Sequence, residues 1–579
     1  MEEELKIETE RVDDLPILFA QMEKMQVAAL LDEHIPTHGN WGGLSLGQVV
    51  VGWLSHVLSQ GNHKLNHVQP WAESQQMVLR SCLNEQARVL DWSDDRLARV
   101  LDYLGDDEHW DAFETALGQH LIRVYELEPK IVRLDSTTSS SYAQVTPDGL
   151  LQFGHSKDHR PDLPQLKIQL STLDPLGLPT TSTIVSGEGA DDPLYIPEIK
   201  KVQKVVNRHG LLYVGDCKMA AQATRAYLAA SGDYYCCPLS NVQVDADELK
   251  AFLQPVWSQK QELVQIERTS AEEEAGLIAE GFETTRKLEL KGEKGAEAAF
   301  VWEERLLIVR SLKLAQAQER GLRERLAKAQ KEVGALNERG RGKRHFRVKE
   351  ELQEAVQAIL KRHRVEGLLQ CSSDEQVQER EVRRYRQREA GVQYSQEVRV
   401  EVEVDEPALT EALGLLGWKV YATNAPQKEF PVDKLVLAYR NEYLIEHDFG
   451  RLKGATLSLR PMYLASDQRL KGLLRLLTIA LRVLLLLEYE VRQKLASEKE
   501  ALTGLYAGQA KRATARPTAE KLLHAFENVT LTRVSQGTQV FSHVTPLSPL
   551  QQRILALLGL PPNLYTEVVA ASPRFASTR

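Results

Sequence analysis

Asp135 closes the β-branched run IVRLDSTTS, and Asp216 closes the apolar run LLYVGD. Both runs read as strands, and each acid is followed by small or helix-starting residues. If the two strands are neighbours, both carboxylates meet at one sheet edge. Hard oxygen ligands of this kind suit Mg²⁺ or Mn²⁺, whose other positions go to water and substrate phosphate. Two such ions about 3.5–4 Å apart stabilise the attacking and leaving oxygens of an in-line phosphoryl displacement. A strand ending in Asp is common, so neither residue alone defines a site. A third carboxylate is offered by YRNEYLIEHDFGRLKG, where Tyr439, Glu446 and Lys453 are seven residues apart. On a straight helix that spacing drifts by only about 20° per step. The three then share one stripe, while Ile445, Phe449 and Leu452 lie on another face. Taken alone, the segment reads as an ordinary amphipathic helix with a solvated charged face.

The elements that must position these groups follow from periodicity and turn signals. Residues 1–115 read as helical, with five of the eight tryptophans (Trp41, Trp53, Trp71, Trp92 and Trp110) anchoring a small core of their own. From 125 to 240 the pattern changes. IVRLDSTTS, QLKIQLSTLD and LPTTSTIVSG meander, the last two around the turn Pro175-Leu176-Gly177. Helix, strand (LLYVGD), helix and strand (DYYCCPL) follow, which is the order of an RNase H-like α/β core. Residues 241–425 interrupt it as an inserted α+β domain. There Leu322, Leu326, Ala329, Val333 and Leu336 recur at 4-3-4-3 spacing, ahead of a second helix with Leu352, Val356 and Ile359. Two heptads are too few for a free coiled coil, so a helical hairpin is expected, with a basic turn at Arg341–Arg347. Trp418 to Thr423 is a strand near the end of this segment; residues 426–500 return to the core, where Pro431 opens a helix running to about Gly454. A helical, basic tail spans 501–579.

Composition narrows the class. Of 579 residues, 42% are hydrophobic and 26% charged, as in a soluble multidomain protein. The five cysteines form no CxxC pair, which suggests reduced thiols and a cytoplasmic protein. The acidic start MEEELKIETE lacks the order of a signal peptide. The run Leu470 to Leu487 carries Lys471, Arg475 and Arg482, so a buried core helix is expected and no membrane is implied. The net charge of −9 is uneven. Residues 1–115 hold 21 Asp/Glu against 8 Lys/Arg, whereas residues 450–579 hold 18 Lys/Arg against 8 Asp/Glu. Such asymmetry permits a basic nucleic-acid-binding half and an acidic appendage.

Together these segments resemble the DDE transposases of bacterial insertion sequences, in the insertion-sequence-four-like superfamily. Its signature of Tyr, two residues, Arg, three residues, Glu, six residues and Lys is matched by Tyr439, Glu446 and Lys453, with Glu442 at the Arg position. That departure removes one expected phosphate contact and sets a competing carboxylate one turn from Glu446. DSTTSSSY, GHSKDHRPDLPQ, GWKVYATNAP, LKGATLSLRPMYL and GLYAGQAKRATARPTAEKLLHAF resemble the sixteen-thirty-four group of that superfamily. The resemblance implies an RNase H-like catalytic core, an insertion between the second and third acids, and Mg²⁺-dependent transposition, with Mn²⁺ able to substitute. Asp135, Asp216 and Glu446 would be catalytic metal ligands, and Tyr439, Arg451 and Lys453 would position the DNA backbone. Water attack at a transposon end would leave a 3′-hydroxyl that then attacks target DNA, within a homodimer holding two ends of double-stranded DNA. Lys157 and Arg160, beside His155 and His159, lie in a polar loop where they could hold phosphates. HSKDH is a poor zinc signal. Trp418, 28 residues before Glu446, is a candidate for stacking on an extruded base, although a buried Trp at a strand start is the commoner arrangement. A metal-dependent nuclease on the same core, or a catalytically silent DNA-binding derivative, is the rival expectation.

Overall fold

The computed structural model describes residues 5–268, 276–290, 300–338, 340, 345–382, 391–509 and 511–570. Met1–Cys237, Glu289–Trp302 and Ala438–Arg579 form one unit, and Pro238–Leu288 with Glu303–Leu437 a second.

The first unit begins with strand β1 (Lys6–Arg11), where a helix was expected. Its sheet carries β2 (Ile131–Ser140), β3 (Gln165–Leu173), β4 (Leu178–Ser186), β5 (Leu212–Gly215) and β6 (Tyr234–Pro238) in the order β4-β3-β2-β5-β6. The β2–β3 and β3–β4 pairs are antiparallel, whereas β2–β5 and β5–β6 are parallel. This is the meander followed by crossovers that the sequence pattern predicted. β3 is buried along its whole length, as a strand covered on both faces must be. Leu134 of β2 pairs with Gly215 of β5, so Asp135 and Asp216 occupy the next position on neighbouring strands. A Cβ at Gly215 would lie 2.8 Å from the Met219 sulfur and 3.2 Å from the Leu134 carbonyl oxygen, so glycine lets the turn after β5 pack closely without displacing them.

The second unit contains β7 (Val264–Arg268), β8 (Gly276–Leu290), β9 (Phe300–Ser311), the hairpin β10 (Leu369–Val382) and β11 (Gly391–Val404), and β12 (Trp418–Thr423). β12, β9, β8 and β7 are neighbours in that order. Two helices, Leu312–Ala335 and Lys349–His363, bury Leu322, Leu326, Ala329 and Val333 with Leu352, Val356 and Ile359, against Val398 and Val400 of β11. Of the basic turn expected at Arg341–Arg347, the first four residues lie outside the described residues.

The first unit resumes with the 32-residue helix Asp467–Glu498, buried from Leu470 almost continuously to Glu488. Among the described residues, no helix is long and apolar enough to cross a membrane. An all-round apolar helix needs cover on every side, and much of that cover comes from the N-terminal residues. Val12, Trp53, Trp92, Leu101, Trp110, Leu477 and Leu484 belong to one continuous core, so the expected separate tryptophan core does not exist. The tail is not simply helical either. β13 (Leu502–Thr503) pairs with β14 (Ala513–Thr514), and β15 (Thr530–Gln536) lies between β1 and β16 (Gln539–Val544). The two chain ends thus share a sheet.

Part of the charge asymmetry is consumed within this unit. Arg469 pairs with Asp102, Lys471 and Arg475 with Asp107, Arg482 with Glu114, and Lys24 with Glu490. Acidic N-terminal residues thus neutralise four basic residues of the long helix, while the Lys24–Glu490 pair runs in the opposite sense.

Candidate active site

Asp135 does not close its strand as expected but lies midway along β2, which continues to Ser140, whereas Asp216 directly follows β5; parallel neighbours in register set the two side by side. Asp135 Oδ1 accepts from the Ser136 backbone N–H at 2.7 Å and lies 3.7 Å from Lys157 Nζ. Asp216 Oδ1 accepts from the Tyr195 hydroxyl at 2.6 Å and from the Lys218 N–H at 2.9 Å. Burial pushes the Asp135 carboxyl up to about 6; Lys157 and the Ser136 N–H oppose this, and the charges of Asp216 and Glu442 add to it. Beside Asp216, the buried Tyr195 phenol is held well above its usual range, first by burial and then by that carboxylate.

The third carboxylate does not follow the straight-helix expectation. The predicted helix is two, Val432–Arg440 and Tyr443–Lys453, interrupted at residues 441–442. The interruption breaks the stripe between Tyr439 and Glu446, although Glu446 and Lys453 still share a helix. A narrow cleft beside Asp135 is lined by Arg133, Tyr439, Glu442 and Ile445. Glu442 is therefore in the cleft, whereas Glu446 is exposed one turn further on. Among the described residues, no group of three His, Cys, Asp or Glu side chains is arranged to hold a metal ion.

Lys453 is not a solvated lysine. Its side chain is 10% exposed, and its ammonium donates to Thr137 Oγ1 at 2.5 Å and Asp158 Oδ1 at 2.8 Å. Burial holds the ammonium below its usual range, with Asp158 opposing the shift. Asp158 also pairs with Arg460 at 3.2 Å and accepts from the Ser140 N–H at 3.3 Å. Lys157 donates to the Ser136 carbonyl and hydroxyl, at 2.5 and 3.0 Å. Arg160 is exposed and forms a bidentate pair with Asp162, both bonds 2.8 Å.

Two expected DNA contacts find other partners. Arg451 is buried, bonded to Glu488 and, at 3.1 Å, to Glu520, so packing of its helix against Asp467–Glu498 takes the guanidinium away from solvent. Trp418, in the second unit, is partly buried, donates Nε1–H to the Gly414 carbonyl at 3.1 Å and packs edge-on to Phe282; its polar edge is engaged by its own chain. Two residues that matter here were not singled out from the sequence. Tyr195 starts a helix 21 residues before Asp216, and Asp158 carried only the rejected zinc pattern. Neither position has a spacing that marks it.

The sequence matches the Transposase DDE domain over residues 127–483 and a domain of unknown function, DUF4277, over residues 7–117. The first match spans more than half of the chain, and the chain belongs to that transposase family. It is a DNA transposase, an enzyme of the DDE class. No curated protein matches it. Among solved structures, the cryo-EM structure of a piggyBac transposase synaptic complex with hairpin DNA is similar, at 9% identity over 97% of this chain and 86% of that one, with a TM-score of 0.36.

Proposed function

We propose that this transposase cuts and rejoins the ends of an insertion sequence of the insertion-sequence-four-like superfamily, sixteen-thirty-four group, using divalent cations held by Asp135, Asp216 and Glu446. The observation that carries the reading is the strand register, which sets the two aspartates side by side. The donor set fits a hard cation: each aspartate has its Oδ1 tethered by a donor within the protein, and among the described residues neither Oδ2 has a hydrogen-bond partner. Mg²⁺, or Mn²⁺ in its place, supplies the positive charge that the displacement needs at its attacking and leaving oxygens. Tyr195 fixes the Asp216 carboxylate by donating to it. Lys157 offsets the charge of Asp135 and stands ready for a phosphate. Glu446 is supported by the helix it shares with Lys453, whose ammonium reaches Thr137, two residues along β2 from Asp135. A second reading assigns Glu442 instead, because Glu442 lines the cleft. Joining two ends makes a homodimer on double-stranded DNA the expected assembly.

The test uses DNA from the borders of the element. Asp135→Asn and Asp216→Asn should each abolish cleavage and strand transfer while end binding persists. Glu446→Gln should behave the same way, and Glu442→Gln should retain activity. The reverse result for the two glutamates moves the third ligand to Glu442. Near-normal cleavage by either aspartate variant would remove the proposed centre, and cleavage without any joined product would leave a nuclease.

A further inference from the structure

Tyr142 and Tyr463 stack on one another in the first unit, with ring centroids 5.9 Å apart and planes 18° from parallel. They are 56% and 68% exposed. Large aromatic side chains are usually buried for the area they remove from water, so an exposed stacked pair needs an occupant or a reason. The backbone joins the two segments that carry the rings: the Tyr142 N–H and the Ser141 hydroxyl donate to the Met462 carbonyl, at 3.3 and 3.2 Å. Tyr142 follows β2 by two residues, and Asp135 lies seven residues earlier on that strand. At about 3.3 Å per residue the separation is roughly 23 Å. Between the two lie cations. Lys157 is beside Asp135, and Lys453 is at Thr137. Arg460 is on Asp158, which Ser140 also contacts, and Arg160 interacts with the Tyr142 hydroxyl.

We propose that Tyr142 and Tyr463 form a stacking platform for an unpaired nucleobase of the DNA strand leaving the catalytic cleft. This rests on the transposase site proposed above and adds to it a subsite. Every base has a π-face, so stacking is tolerant of sequence. Within a duplex those faces are covered by neighbouring pairs, so the platform selects a terminal or unpaired base. That distance corresponds to about seven base steps at 3.4 Å, and fewer when the strand is extended. The subsite therefore reads a position about four to seven nucleotides from the cut. Trp418, the residue expected to stack on a base, is partly buried in the other unit, whereas these rings are open.

Two probes test the platform, both bound by the full chain in chelator so that no strand is cut. One is a paired duplex of the element's end. The other is the same duplex with a single-stranded extension of about seven nucleotides at the cut, carrying 2-aminopurine at each position in turn. Wild type should prefer the extended probe and quench 2-aminopurine at one or two positions between about four and seven. Tyr463→Ala and Tyr142→Ala should each lose about tenfold of that preference, with binding of the paired duplex unchanged. Tyr463→Phe should keep it, since stacking needs the ring and not the hydroxyl. Alanine variants with the wild-type ratio of affinities, or quenching that is indifferent to both substitutions, would overturn the platform. Failure of the underlying site registers separately, as cleavage that survives Asp135→Asn.

Discussion

Lys453→Met separates two accounts of one lysine. As a surface residue reaching for phosphate, its loss would change stability by less than about 0.5 kcal/mol and reduce the salt dependence of DNA binding by about one ion. The structure gives it a different setting. Its partner Asp158 is only 4% exposed, and Lys453 is the nearer of the two cations that neutralise it, at 2.8 Å against 3.2 Å for Arg460. Removing one member of a buried pair costs about 3–5 kcal/mol when the other charge is left alone. Here Arg460 and the Ser140 N–H remain on Asp158, so about 2 kcal/mol is expected. Thermal melts of the full chain should show Lys453→Met about two degrees below wild type. Asp158→Asn placed in the same chain should recover most of that loss, because the neutral amide no longer needs the ammonium; a coupling of at least about 1 kcal/mol is the signature of direct contact. An ammonium already held by a carboxylate offers a phosphate less net charge, so the salt slope should change by less than one ion. A Lys453→Met protein that melts like wild type, with no coupling to Asp158, would refute the reasoning.

Two further outcomes follow from buried charge. Arg482 is almost fully buried, bonded to Glu114 at 2.8 Å and to the carbonyls of Pro179 and Thr180; Arg482→Leu should destabilise by about 3–5 kcal/mol, and Glu114→Gln in the same chain should soften the loss, a pattern that additive melts would contradict. Burial holds His56 and His63 down to about 4, against an ordinary value of 6.5. The unfolded chain therefore takes up protons below pH 6.5 that the folded chain refuses, so stability is full above that pH and falls as pH drops towards 4. At pH 5 the loss is about 2 kcal/mol per histidine. Melts between pH 7 and pH 5 should be less steep for His63→Asn than for wild type, and equal steepness would count against a neutral buried imidazole.

Much of the catalytic sheet was legible in the sequence, because strand and turn signals are local. The strands carrying Asp135 and preceding Asp216 follow from apolar and β-branched runs and from turn residues such as Pro175-Leu176-Gly177, although the first continues past Asp135 to Ser140. The arginines within Leu470–Leu487 likewise marked that helix as a core helix. What local patterns do not carry is the partner of each charge and the path of each helix. The seven-residue stripe assumed one straight helix, but the interruption at residues 441–442 puts Glu442, not Glu446, in the cleft with Asp135. Arg451 reads like a phosphate contact until Glu488 and Glu520 meet it from distant parts of the chain. The acidic N-terminal and basic C-terminal stretches read as two surfaces, although Asp102, Asp107 and Glu114 face Arg469, Arg475 and Arg482. Composition counts charges without their neighbours. Only the tertiary fold, by bringing residues more than 300 positions apart into contact, decides which charges remain available to a substrate.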